Sequence, residues 1–198
     1  MASRASHVLL VLTAFVAGLV IFSAAIFLVA GKGPIQMTAP SAIGGPFRLT
    51  DHHGQTVTDA DLKGKPFLVF FGFTHCPDIC PTTLFEVSEI LGKLGNEASG
   101  VNALFVTVDP ERDTSDKLKD YLSSFHPQLR GLTGDNAAIA SMERTYRVYS
   151  KKVPLEGGGY TMDHTALVYL MDKEGRFVAP FNMKRGPDEA AADLRKYL

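Results

Sequence analysis

The chain contains only two cysteines, Cys76 and Cys80, which stand four positions apart in the segment Thr74-His75-Cys76-Pro77-Asp78-Ile79-Cys80-Pro81. Such a pair is open to three chemistries: a structural disulfide or two buried thiols, a redox dithiol, or two ligands of a soft metal. Spacing separates these in part. Dithiol redox catalysts favour two residues between the cysteines, often with a tryptophan before the first. Here three residues intervene, and the chain has no tryptophan. The wider loop can spread two sulfurs around a metal, and it can also close a disulfide. Two cysteines are too few for a disulfide scaffold or a four-cysteine zinc site.

A metal would need at least a third ligand, and six histidines are available. His7 lies ahead of an apolar run. His52 and His53 fall in an expected turn, where solvated side chains are the default. His75 points away from Cys76 if its segment is still strand-like. His126 precedes Pro127 at a helix end and reads as a cap or surface residue. His164 differs: it follows the Gly157-Gly158-Gly159 stretch and stands just before an expected strand, with Asp163 beside it to back the imidazole. Spacing alone leaves its role open. Asp78 could orient the cysteine loop or attract a partner, and reads equally well as a solvated loop acid. Asp109, before Pro110, reads as a structural strand end.

The elements that must position these groups follow from hydrophobic periodicity. Residues 47–50 and 55–58, joined by Asp51-His52-His53-Gly54, form a short hairpin. The near-continuous apolar run Phe67 to Phe73 is a strand buried on both faces. Pro81 to Leu94 carries a helical stripe at Leu84, Val87, Leu91 and Leu94. A second buried strand covers 101–108. Helices follow at 115–125, with Asp113 or Thr114 as cap, and at 136–149. A strand at 165–171, its hairpin partner at 176–181 and a helix at 187–197 close the chain. This order is an α/β sandwich with a central mixed sheet. The cysteines then leave a strand at its C-terminal end and open a helix. Ligands bind at such places in α/β sheets, and a helix N-terminus favours thiolates. Both sulfurs are therefore expected to be acidic, close together and reachable.

Residues 8–30 carry no charge. As a helix this run spans roughly 35 Å, enough to cross a bilayer. It reads as a membrane anchor. A cleaved signal peptide, with Ser23-Ala24-Ala25 as its small residues, is the alternative, but signal cores are usually shorter. A buried core helix fits poorly because the run has no polar face. Arg4 and Lys32 flank it with one basic residue each, so the positive-inside rule gives no orientation. Residues 1–30 are thus a short N-terminus and anchor, 31–41 a Gly- and Pro-rich linker, and 42–198 one domain. With 20 basic and 21 acidic side chains the net charge is −1, which argues against a nucleic-acid binder. High apolar content argues against disorder.

Several segments together resemble a known family. Leu62-Lys63-Gly64-Lys65-Pro66, the apolar strand and the cysteine loop opening a helix resemble the thioredoxin superfamily. Gly72 to Leu84 (GFTHCPDICPTTL) is similar, almost residue for residue, to the signature of the Sco (SenC/PrrC) copper-binding assembly proteins. Val108-Asp109-Pro110-Glu111-Arg112-Asp113-Thr114, Gly131-Leu132-Thr133-Gly134 and Asp163-His164-Thr165 resemble further blocks of that family. The resemblance implies a thioredoxin-like fold with metal ligands at Cys76, Cys80 and His164. It also implies one copper ion per chain, Cu(I) or Cu(II). Two thiolates and one imidazole suit soft copper and leave an open position through which a carried metal could pass on.

By the same resemblance the protein is a metallochaperone rather than an enzyme. It delivers copper to, or prepares, the dinuclear copper centre of cytochrome c oxidase subunit II. Copper binding needs both sulfurs reduced, so a periplasmic thiol reductase and an upstream copper donor are implied partners. A thiol–disulfide oxidoreductase acting on the cysteines of that centre, or a redox or copper sensor, would use the same residues. A peroxidase is disfavoured: Phe73 stands where a peroxiredoxin has threonine, and the tryptophan of glutathione peroxidases is missing. Delivery outside the cytoplasm implies a bacterial inner-membrane protein, single-pass, with its domain in the periplasm.

Overall fold

The structure, a computed structural model, describes residues 4–30 and 43–198, including within the first helix the side chains of His7 and of residues 10–24. The linker expected at 31–41 lies outside the described residues. The chain divides into two compact units, residues 1–39 and 40–198.

The described residues of the first unit form one helix, α1 (Arg4–Ala30). Its described apolar side chains, Leu12, Phe15 and Ile21 among them, stand exposed. Among the described residues no helix is long and apolar enough to cross a membrane. The stretch with continuously described side chains, 10–24, covers only about 22 Å of helix.

The second unit is built on a seven-stranded mixed sheet. In chain order its elements are β1 (Arg48–Asp51), β2 (Thr56–Thr58), β3 (Phe67–Gly72), α2 (Ile79–Leu94), β4 (Asn102–Thr107), α3 (Ser115–Leu122), β5 (Leu129–Thr133) and α4 (Asn136–Tyr146). There follow β6 (Ser150–Pro154), β7 (Tyr160–His164), β8 (Val168–Met171), β9 (Phe177–Pro180) and α5 (Pro187–Arg195). The sheet order is β2-β1-β5-β4-β3-β8-β9, and β6 and β7 form a separate two-stranded sheet. Every residue of β3 is buried, as its unbroken apolar run requires of a strand covered on both faces. Leu84, Val87, Leu91 and Leu94 of α2 pack into the same core.

Register explains where a site can form. β3 runs parallel to β4, from Phe67 opposite Asn102 to Gly72 opposite Thr107, and β4 runs parallel to β5. All three therefore end at one edge of the sheet. β8 is antiparallel to β3, with Phe70 opposite Val168 and Phe67 opposite Met171, so β8 begins at that same edge. The segment entering β8 thus arrives beside the loop leaving β3.

The hairpin, both buried strands, the four predicted helices of this unit and the closing hairpin occur where periodicity places them, with ends shifted by a few residues. Three strands were not foreseen. β5 (LRGLT) is short and has Gly131 at its centre, where a Cβ would come within 2.7 Å of the Leu122 side chain and 3.2 Å of Leu118, so α3 lies directly on the strand. β6 and β7 form a largely exposed hairpin whose lysines and aspartate give no buried stripe to read. The helix expected to reach Tyr149 stops at Tyr146, because Arg147 turns left-handed (φ 56°) and sends the chain into β6.

Candidate metal centre

The β3–α2 loop holds Cys76 in a half-buried position and Cys80 fully buried in the first turn of α2. The Cys76 amide donates to the Phe73 carbonyl (3.3 Å), and the Cys80 amide donates to the Cys76 sulfur (3.5 Å). A free amide of the helix N-terminus, that of Cys80, thus faces one sulfur, as expected for a thiolate ligand. Gly72 makes room for the other: a Cβ there would stand 2.7 Å from the Cys80 sulfur and 2.7 Å from the Phe105 ring.

His164 closes the group. Its Nε2 lies 3.6 Å from the Cys80 sulfur, and its Nδ1 lies 3.1 Å from the Thr165 carbonyl. A carbonyl only accepts, so this contact places the proton on Nδ1 and leaves the Nε2 lone pair directed at the sulfurs. The ring stands edge-on to Phe73 (centroids 5.7 Å, 90°) and to Phe70 (6.3 Å, 64°). The three donor atoms of Cys76, Cys80 and His164 lie within 4.8 Å of one another, the one such His/Cys/Asp/Glu cluster among the described residues. Two sulfurs and one imidazole nitrogen at this separation can converge on one soft ion.

The Cys80 sulfur is buried and not acidic, which corrects the expectation that both sulfurs are acidic and reachable. Burial, the largest cause, pushes the Cys80 thiol far above its ordinary range, and the neighbouring Cys76 and Asp113 push it the same way. Desolvation outweighs the hydrogen bond to the Phe73 backbone, which pulls the other way, because no solvent reaches this sulfur. A metal that binds here must displace the Cys80 proton.

The other candidates fall outside the group. Asp163 is exposed and, by strand alternation, lies on the opposite face of β7 from His164; the Thr165 carbonyl, not this carboxylate, backs the imidazole. Asp78 is exposed at the N-cap of α2, where its carbonyl accepts from the Thr82 amide and no side-chain cap bond forms. His75 is exposed, with Nδ1 3.1 Å from the Thr74 hydroxyl. His52 is tied down rather than solvated: its Nδ1 accepts from the Gly131 amide (2.9 Å). His126 Nδ1 accepts from the Gln128 amide, a local cap.

The sequence offers Asp113 only as a possible helix cap. Thr114 fills that place, accepting from the Lys117 amide. Asp113 is instead fully buried and holds the cysteine loop. Its Oδ2 accepts from the Thr74 amide (3.0 Å) and the Thr107 hydroxyl (2.7 Å), and its Oδ1 accepts from the Thr74 hydroxyl (2.6 Å). The Thr133 hydroxyl donates to its backbone carbonyl (2.8 Å). One residue thereby joins the ends of β3, β4 and β5. The available signal was an aspartate four residues after a strand-ending Asp-Pro, among threonines that close the neighbouring strands.

The sheet, the cysteine loop and the facing histidine define a thioredoxin-like mixed α/β protein whose edge carries a two-sulfur, one-imidazole donor set. Known proteins make the class specific. The SCO1/SenC family description matches residues 35–198. A structure of Bradyrhizobium japonicum ScoI with copper bound is 65% identical, covering 79% of this chain and 99% of that one, with a TM-score of 0.77. Protein SCO1 homolog 1, mitochondrial, of Arabidopsis thaliana is 42% identical over 79% of this chain and 48% of its own length. BsSco, a member of the Sco family of cytochrome c oxidase assembly proteins in which a disulfide switch has been identified, is 26% identical, covering 82% of this chain and 97% of that one (TM-score 0.64). The chain spans about half the length of the curated relatives it matches. It belongs to the SCO1/SenC family, as its motifs implied.

Proposed function

We propose that this protein binds one copper ion through Cys76, Cys80 and His164. In this reading it delivers that copper to, or prepares, the dinuclear copper centre of cytochrome c oxidase subunit II. The observation that carries the reading is the convergence of the three donors within 4.8 Å. Its support from relatives is the copper held by ScoI of Bradyrhizobium japonicum. The half-buried Cys76 gives a partner access to the edge of the site, and three ligands leave a position for an incoming one. An upstream donor would load the site, and a thiol reductase would keep both sulfurs reduced.

The reduced, metal-free protein titrated anaerobically with Cu(I) in competition with a chromophoric chelator is expected to take up one equivalent. Less than half an equivalent from fully reduced protein would exclude the carrier role. A second reading, thiol–disulfide exchange on the cysteines of the same centre, is favoured by the proximity of two free thiols, one of them half-exposed. Addition of copper to a deletion strain separates the two: restored oxidase activity supports copper supply, and unchanged deficiency supports exchange.

The proposed setting is a bacterial inner membrane, single-pass, with the N-terminus cytoplasmic and residues 42–198 in the periplasm. It rests on the uncharged sequence of residues 8–30 and on the need to reach a copper centre outside the cytoplasm. Alkaline phosphatase fused after Leu198 is expected to be active and to sediment with membranes. A fusion active only as a cytoplasmic reporter contradicts this topology.

A further inference from the structure

His164 sits at the end of a hairpin that belongs to no part of the main sheet, so its position depends on what holds β6 and β7 against the body. One guanidinium supplies much of that hold. Arg112, in the loop after β4, donates through Nε to the buried carboxylate of Asp109 and through Nη1 to the Tyr160 carbonyl at the start of β7 (2.9 Å). The Tyr160 hydroxyl returns to the other Asp109 oxygen (2.9 Å). The guanidinium carbon also lies 3.8 Å from the centroid of the Tyr160 ring and 5.8 Å from that of Phe73. Phe73 is the ring against which His164 stands edge-on. Outside this clasp, Lys152 of β6 pairs with Glu111 (2.6 Å) and covers the Tyr160 ring (4.7 Å).

We infer that Arg112 is a positioning residue for His164: it pins the turn end of the β6–β7 hairpin at Tyr160, while His164 pairs with Ser150 at the open end, and it packs on Phe73, against which the imidazole stands as it reaches the two sulfurs. A planar fork suits the task. It makes two directed bonds in different directions while its face lies on an aromatic ring, which an ammonium cannot do. Arg112 touches neither sulfur nor, in the functional reading above, the copper, and the inference rests on that reading for its chemical consequence.

The test uses the full chain, reduced and metal-free, as wild type, Arg112→Ala, His164→Ala and the double variant. Arg112→Ala is expected to weaken Cu(I) binding about tenfold, the usual scale for losing a residue that orients a ligand. In the His164→Ala background the same change is expected to cost less than twofold, because there is no imidazole left to place. Electron paramagnetic resonance of the Cu(II) form is expected to show a weakened and more heterogeneous nitrogen coupling in Arg112→Ala, and none in His164→Ala. Equal losses in both backgrounds would overturn the inference, since Arg112 would then act on the cysteine loop or on folding. If Arg112→Ala does not fold, Arg112→Lys and Tyr160→Phe decide: weakened copper binding with retained cooperative unfolding supports the clasp, and wild-type binding in both overturns it. Hydrogen exchange of the metal-free protein judges the inference even if wild type binds no copper. Faster exchange at residues 161–164 in the variants supports it, and unchanged exchange overturns it.

Discussion

Replacing His164 by alanine is expected to lower copper affinity by on the order of 100-fold or more while leaving thiol–disulfide exchange close to wild type. Losing a group that merely orients a ligand typically costs about 10- to 100-fold, and removing the ligand itself costs more. The loss falls unevenly on the two oxidation states. Two thiolates alone still suit Cu(I), whereas Cu(II) draws more on the imidazole, so the Cu(II) form suffers most. The fold tolerates the change. The ring is half-buried and lies edge-on to Phe73 and Phe70, contacts worth about 0.5–1.5 kcal/mol. Chelator competition measures the affinity, and the rate of reduction of a small disulfide measures exchange. Exchange falling in parallel with affinity would show that His164 acts on the thiols rather than on a metal.

The geometry behind that expectation was legible in the sequence to different depths. The two sulfurs were visible because a buried strand running into a cysteine loop and a helix leaves few other placements. His164 was visible as a candidate because it precedes a strand, but its selection over five other histidines came from the family resemblance. Neither β6 nor β7 was foreseen, so nothing local could show that His164 ends a strand rather than a loop. The pairing of β8 antiparallel to β3 brings it to the sulfurs, and such register is a tertiary property. The mistaken acidity of Cys80 has a similar origin. Helix position can be read from spacing, but burial of the sulfur in the core against Gly72 cannot. Asp163 failed for a simpler reason: adjacent residues on a strand face opposite ways, so a neighbour in sequence is a poor partner for the same site.

The residues that hold the site were the least legible. Arg112 and Asp113 stand side by side in an ordinary charged loop, yet one faces the hairpin and the other the cysteine loop. A charged pair after a strand most often reads as a solvated turn. What distinguishes these two is the set of donors and acceptors that three strand ends bring together, and that set exists only after the sheet has formed. The loop after β4 therefore serves both halves of the donor set, with Asp113 beneath Thr74 and Arg112 beneath Tyr160.

Asp113→Ala should consequently be among the most damaging single changes outside the donors, with an expected stability loss of about 3–5 kcal/mol. A buried carboxylate that accepts three bonds is stabilised by them, and its removal strands their donors: the Thr107 hydroxyl, wholly buried, and the amide and hydroxyl of Thr74. Breaking a buried charged network in this way costs several kcal/mol, far more than the removed atoms contribute by packing. Asp113→Asn is milder, about 1–2 kcal/mol, because the amide oxygen can keep the two bonds at the Oδ2 position. The amide nitrogen then faces the Thr74 hydroxyl, which can accept it and turn its own proton toward His75 Nδ1, 3.1 Å away. Urea unfolding of the reduced, metal-free protein orders the variants as wild type, Asn, Ala. Equal stability for alanine and wild type would mean that water or a rearranged loop satisfies Thr107 and Thr74. Copper affinity should follow the same order, since Thr74 begins the turn that sets Cys76 above Cys80. In Asp113→Asn the loss of a negative charge near the sulfurs opposes that trend, because Asp113 is one of the groups that hold the Cys80 thiol protonated. The asparagine variant is therefore expected to lose stability while keeping copper affinity within a few-fold of wild type, a separation that a purely structural collapse of the loop would not produce.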